Sequence, residues 1–247
     1  MRELDATTSR FDRRASTYQD SALQQFLFGP AQKTALQLAL ELVPQARRIL
    51  DIGCGTGQLL RRARPCYPTA ALVGVDLAAQ MVAAAIAVTP TKLAVRYIRA
   101  CAEHLPFTHD VFDLVFATLS LRHWTNPSAG IAEISRVLTP GGMLVVADVF
   151  PDQRHRSSAR PRVRHLHAAV PTDLGRLLAA HRLTVIGCDR TSWFRLPDVQ
   201  VIASASPHRR VSNLLPCGLR LRFARPVVLP IPRGVGLGPA PEPTGDA

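Results

Sequence analysis

Between residues 48 and 149 the chain alternates short apolar runs with longer segments of helical periodicity. Arg48-Ile-Leu-Asp-Ile-Gly53 is almost continuously apolar and ends in glycine, the pattern of a strand buried on both faces. Ala71-Leu-Val-Gly-Val-Asp76, Leu93–Ile98, Val111–Thr118 and Met143–Val149 repeat that pattern, and two more strands are expected near Leu183–Asp189 and Val199–Ala205. Helices are expected near Gly57–Ala63, over Ala78–Val88 and over Asp173–His181. The helix after the fourth strand is the best signalled. Asn126 can cap it, Pro127 suits its first turn, Ile131, Ile134 and Leu138 share a face, and Thr139-Pro-Gly-Gly142 stops it. A further helix is expected over 22–43, broken at Gly29-Pro30, with Ala35, Leu36, Leu38, Leu40 and Leu42 as its apolar side. Strands that alternate with helices over short connections predict an α/β domain, with a mainly parallel sheet covered on both faces.

Two segments interrupt this rhythm. Residues 151–171 hold Arg154, Arg156, Arg160, Arg162 and Arg164 with His155, His165 and His167, where a loop leaves the carboxyl end of the fifth strand. Residues 207–247 are rich in proline and glycine and basic as far as Arg233. The expected organisation is therefore one domain over 1–206, with an N-terminal helical cap, and a partly disordered basic tail over 207–247.

Composition narrows the function classes. An apolar fraction of 47% supports a packed core, and no apolar run is long enough to cross a bilayer. Nothing at the N-terminus reads as a secretory leader, so the cytoplasm is the expected location. The five cysteines form no Cys-x-x-Cys pair, which argues against a disulfide framework and a zinc site; no metal is expected. The net charge is +12, and only Lys33 and Lys92 are lysines, so arginine supplies the other 28 of the 30 basic residues. The arginine bias reads as genome composition, and the charge as a solvated basic surface or as a surface for an acidic substrate, a carrier protein or nucleic acid.

The chemistry-bearing segment is Ile49-Leu-Asp-Ile-Gly-Cys-Gly-Thr-Gly57. Glycines at 53, 55 and 57 allow a sharp turn after a strand and close approach of a ligand to the backbone. The spacing is G-x-G-x-G, distinct from the dinucleotide pattern. Asp76 ends the next strand, a position suited to both hydroxyls of a ribose. Together these residues resemble the first two motifs of class I S-adenosylmethionine (SAM)-dependent methyltransferases. Ala102-Glu-His-Leu-Pro-Phe107, Phe112-Asp-Leu-Val115, Leu121-x-His-Trp124 and Glu133-x-x-Arg-Val-Leu-x-Pro-Gly-Gly142 follow in the same family's order. Phe11-Asp-x-x-Ala15-x-x-Tyr18 resembles the entry of the branch that holds the quinone C-methyltransferases and the malonyl-carrier-protein O-methyltransferases. The resemblance covers about residues 11–150.

The resemblance implies a Rossmann-like fold, a mostly parallel seven-stranded sheet with helices on both faces and the last strand antiparallel. It implies SAM as the cofactor. Gly53, Gly55, Gly57 and the adjoining backbone would approach its methionine part, and Asp51 would reach the amino group through water. Asp76 would hold the ribose, Leu77 and Met81 would lie near the adenine, and Tyr18 would close over the cofactor. Relatives often carry Gly-Asp before the Ala-Glu pair, the aspartate contacting adenine; here Ala100-Cys101 stands there. A thiol accepts hydrogen bonds poorly, so recognition at Cys101 would fall to backbone such as the Ala102 N–H.

The activity implied is methyl transfer to an oxygen or carbon of a small-molecule acceptor, acidic or carrier-linked. His123 is the candidate base, and the alternative is that it shapes the pocket. Arg160, Arg162 and Arg164 are candidate acceptor-binding residues, and the alternative is a solvated loop. Two other readings stand beside this one. Charge alone favours RNA or tRNA methylation, against which Thr118-Leu-Ser-Leu stands where exocyclic-amine methylases carry Asn- or Asp-Pro-Pro-Tyr. The Cys101 departure favours a SAM-binding protein without catalysis.

Overall fold

The computed structural model describes residues 9, 11–13, 28–149, 171–191 and 199–207. The chain divides into two units, Met1–Cys217 and Gly218–Ala247, and everything described belongs to the first. Its helices are α1 (Gly29–Leu42), α2 (Gln58–Ala63), α3 (Ala79–Val88), α4 (Pro127–Val137) and α5 (Pro171–Ala180). Its strands are β1 (Arg48–Ile52), β2 (Ala71–Asp76), β3 (Val95–Arg99), β4 (Phe112–Thr118), β5 (Leu138–Val149), β6 (Thr184–Thr191) and β7 (Val199–Ala205).

The seven strands form one sheet in the order β3-β2-β1-β4-β5-β7-β6. All neighbours from β3 to β5 are parallel, and β7 runs antiparallel to both β5 and β6. The central strands read as continuous apolar runs because both faces are covered. Leu50, Ile52, Val115, Ala117, Leu144 and Val146 join Ile131 and Ile134 of α4 and Leu174 and Leu178 of α5 in one core. The alternate residues, such as Ile49, Leu114, Phe116 and Val145, are equally buried and point to the other face. There α1, with Ala35, Leu38 and Ala39 buried, lies across β4, β5 and β7.

Several boundaries differ from the sequence expectation for identifiable reasons. Gly29-Pro30 opens α1 where a break was expected, since a proline in the first turn lacks only an N–H that has no partner there. Thr91–Leu93 forms a 3-10 turn, which delays β3 to Val95. Thr139-Pro-Gly-Gly142 ends α4 but lies within β5, whose pairing with β4 shifts between Phe112 and Leu114. Gly141, at φ +78°, donates its N–H to the Pro207 carbonyl at 2.9 Å, and Ser206 N–H donates to the Gly142 carbonyl at 2.9 Å. The backbone through Pro207 is thereby tied to β5.

The order reverses between β1 and β4. This is a switch point, where the loops leaving the carboxyl ends of adjacent strands diverge and leave a crevice.

Candidate active site

The glycine turn forms at that switch point. Gly53 and Cys54 donate their N–H groups to the Val75 carbonyl at 2.8 and 3.0 Å, which folds the end of β1 over the end of β2. Gly53 has φ +72°, and a Cβ there would lie 2.4 Å from Ser120 Cβ. Gly57 has φ +76°, and a Cβ there would lie 2.2 Å from the Tyr97 hydroxyl. Glycine is needed at both positions for conformation and for space. Ser120 is itself fixed, donating its hydroxyl to the Ile52 carbonyl at 2.8 Å. Ser120 and Tyr97 support the turn, and neither stood out in the sequence.

Two carboxylates gather around this turn. Asp76 Oδ2 accepts the Gly55 N–H at 2.8 Å, and its Oδ1 accepts the Ala78 N–H at 2.9 Å. Each oxygen keeps a further lone pair. Burial pushes the Asp76 carboxyl above the ordinary range, against the downward pull of the Ala78, Gly55 and Leu77 N–H groups, and nearby Asp12 adds to the rise. Asp51 is fully buried under the loop, and its Oδ1 has no partner among the described residues. Desolvation, with a smaller contribution from Asp76, pushes its carboxyl up to about 8.

The flank beyond β2 is closed by the N-terminal arm. Asp12 Oδ1 accepts the Gln80 N–H at 2.9 Å, and Phe11 packs on Ala78 and Met81. Leu77 holds its carbonyl against Arg99 Nε, which donates at 3.1 Å. The loop from Cys101 to Phe107 follows β3, with Ala102 buried and Cys101 Sγ 3.9 Å from His104 Nδ1. That loop is held by acids and one arginine. Glu103 accepts the N–H groups of Thr125 and Asn126 at 2.8 and 3.1 Å. Glu133 accepts the Leu105 N–H at 2.8 Å, while Arg136 donates to the carbonyls of Phe107 and Leu105 at 2.7 and 3.2 Å. The Glu133-x-x-Arg136 spacing thus serves to clamp a loop.

The other flank follows β4. His123 is exposed, with its ring edge-on to Phe11 at a centroid distance of 5.0 Å. Trp124 packs on Gly130 of α4, where a Cβ would meet its ring at 2.5 Å. Arg122 and Asp148 form an ion pair beside them, with Arg122 Nη1 2.5 Å from Asp148 Oδ1. The expected site residues Gly53, Gly55, Gly57, Asp51, Asp76, Leu77, Met81, Cys101, Ala102 and His123 are all among those described. Tyr18, Arg160, Arg162 and Arg164 lie outside the described residues.

A mostly parallel sheet with an antiparallel β7, a glycine turn at its switch point and an acid at the end of β2 define a class I methyltransferase fold. A family profile described as "Methyltransferase domain" matches residues 50–146. The demethylmenaquinone methyltransferase of Deinococcus radiodurans is 31% identical over 187 residues, 74% of this chain and 71% of that protein. The Thermus thermophilus demethylmenaquinone methyltransferase is 38% identical over 120 residues, 48% of this chain and 54% of the relative. A malonyl-[acyl-carrier protein] O-methyltransferase of Hahella chejuensis is 36% identical over 140 residues, 57% of this chain and 48% of the relative. The chain thus spans about half the length of several curated relatives it matches. A SAM-dependent methyltransferase from Aquifex aeolicus superposes with a TM-score of 0.61 at 16% identity, covering 78% of this chain and 97% of that one; this likeness shows the fold. The chain belongs to the class I SAM-dependent methyltransferase family, in the branch of the quinone C-methyltransferases and malonyl-carrier-protein O-methyltransferases.

Proposed function

We propose that this protein transfers the methyl group of SAM to an oxygen or carbon atom of a small-molecule acceptor, either a quinol-type ring or a carrier-linked acyl chain. The observation that carries this reading is Asp76, anchored by the N–H groups of Gly55 and Ala78 with lone pairs to spare on both oxygens. The residues fit the cofactor. Asp76 would accept the two ribose hydroxyls, and Asp51, whose Oδ1 has no partner among the described residues, would reach the ammonium group through water. Gly53, Gly55 and Gly57 would line the methionine part, with Leu77, Met81, Cys101 and Ala102 around the adenine. Tyr18 would close over the cofactor from the N-terminal arm.

When bound, SAM supplies a methyl group already activated on a sulfonium. The chain's own work is then to align the acceptor atom, exclude water and take up a proton where the acceptor holds one. His123, exposed beside the crevice, is the candidate for that proton, and Arg160, Arg162 and Arg164 for an acidic acceptor. Among the described residues no helix is long and apolar enough to cross a membrane.

The test has two stages. Calorimetry with SAM on the full chain and on Asp76→Ala should show binding that the substitution weakens. Labelled SAM should then transfer its methyl to reduced demethylmenaquinone or to malonyl-carrier protein. Absence of SAM binding would overturn the cofactor assignment. Binding without transfer to either acceptor would overturn the acceptor assignment alone.

A further inference from the structure

Arg122 and Asp148 meet at the carboxyl edge of the sheet, on neighbouring strands. Arg122 lies in the 3-10 turn Leu121–His123 that follows β4, and Asp148 is the penultimate residue of β5. The two elements are stitched together beside the pair: Thr118 is in register with Ala147, and Leu119 donates its N–H to the Ala147 carbonyl at 2.7 Å. Asp148 Oδ1 takes both Arg122 Nη1 and the Val149 N–H, the latter at 2.8 Å. Asp148 Oδ2 is buried and has no partner among the described residues.

The pair is asymmetric. The Asp148 side chain is 2% exposed and the Arg122 side chain 19%. Burial pushes the Asp148 carboxyl up even with the guanidinium beside it. An ion pair this deep adds little net stability over an apolar pair of the same volume, because both charges lose water. Its position offers a better account. In open α/β sheets ligands bind outside the carboxyl ends of the strands. One guanidinium nitrogen is spent on Asp148, and a planar group fixed in this way keeps other donors in a rigid fork for a second anion.

We propose that Arg122 receives an oxygen anion of the methyl acceptor, a carboxylate or a phenolate, and that Asp148 is the residue that positions Arg122 for it. The inference rests on the methyl-transfer reading above. It adds an acceptor-binding guanidinium, largely sheltered, directly beside the candidate base His123. Such a fork would suit either proposed acceptor, since a malonyl chain ends in the carboxylate that is methylated and a quinol ring bears its oxygen on the carbon beside the methylated one.

The test uses the full chain loaded with S-adenosylhomocysteine and titrated by calorimetry with 1-naphthoate and, separately, with 1-naphthol. The two probes separate carboxylate from phenol recognition. The wild type should bind at least one of them. Arg122→Gln should weaken that binding roughly tenfold or more, and Asp148→Asn several-fold. The double variant should be no weaker than Arg122→Gln alone, because Asp148 acts through Arg122. Affinity for S-adenosylhomocysteine should stay within about twofold throughout. Should Asp148→Asn fail to fold, Arg122→Lys carries the test, since it keeps the charge and loses the fork. Three results would overturn the proposal: a loaded wild type that binds neither probe, variants that bind as the wild type does, or losses that fall equally on S-adenosylhomocysteine. A wild type that does not bind S-adenosylhomocysteine would instead remove the cofactor reading.

Discussion

Asp76 reaches across 21 residues of sequence to hold the Gly55 N–H at 2.8 Å, so the acid that ends β2 also fixes the apex of the turn after β1. Any ligand held by Asp76 is therefore held in register with the glycine loop. On the proposed reading Asp76→Ala removes the diol acceptor and this tie together. A charge-assisted hydrogen bond contributes roughly 1.5–3 kcal/mol, so SAM affinity should fall at least about tenfold. The fold should survive, because Gly53 and Cys54 still donate to the Val75 carbonyl. Equal SAM affinities of wild type and variant by calorimetry would refute the assignment.

Asp51 predicts an unusual pH dependence. Its folded-state carboxyl is pushed up to about 8, from an ordinary value of 3.8 in the unfolded chain. Between these values the folded protein keeps a proton that the unfolded chain has lost. Stability is then fully present below the lower value and is lost as pH rises through the upper one. Asp51→Asn cannot ionise and lacks this slope. The variant should gain in melting temperature over the wild type as pH rises from about 5 to 8, at roughly 2–4 °C per kcal/mol. The ammonium proposed to be reached from Asp51 through water would favour the ionised form, so wild-type SAM affinity should rise with pH from about 5.5 to 7.5 while that of Asp51→Asn stays flat. Melting curves whose difference is constant over this range would refute the buried acid.

Much of this site was legible because its markers are local. Strands buried on both faces read as apolar runs, and three glycines with an acid one strand later stand out in any register. What escaped were the partners supplied from far away. Asp148 reads as an interruption in an apolar strand, and nothing local ties it to Arg122, 26 residues earlier. Glu103 and Arg136 carry no periodicity of their own, and their role appears only when α4 packs beside the Cys101–Phe107 loop. Tyr97 shows as one more apolar strand residue until it is found beneath Gly57. The extension of β5 back to Leu138 was hidden for the same reason: Pro-Gly-Gly is a stop locally, but the chain still pairs with β4 across the irregularity.

Cys101 offers a gain-of-function test. Its thiol is 3.9 Å from His104 Nδ1 and accepts hydrogen bonds weakly. Cys101→Asp places a strong acceptor on a loop that Glu103, Glu133 and Arg136 already hold. SAM should bind several-fold tighter, through a hydrogen bond to a charged group worth roughly 1.5–3 kcal/mol before the added desolvation of the new carboxylate. Equal or weaker affinity in a folded variant would show that adenine is recognised through backbone instead.

The N-terminal arm yields the last prediction. Ala78 precedes α3 and gives it no side-chain cap, so the Gln80 N–H depends on Asp12 from the arm. Phe11, the neighbouring residue, touches Ala78 and Met81 on one flank of the crevice and His123 on the other. The arm thus bridges the proposed cofactor flank and the proposed acceptor flank through two adjacent side chains. Asp12→Ala leaves a helix N–H without its cap, which costs about 0.5–2 kcal/mol, while asparagine caps nearly as well as aspartate. Asp12→Ala should therefore speed SAM dissociation several-fold, and Asp12→Asn should hold it near the wild-type rate. Phe11→Ala should speed it too, since the apolar bridge is lost. Stopped-flow dissociation from the three variants decides the matter. Rates equal to wild type in both alanine variants would mean that the arm packs against the crevice without retaining the cofactor.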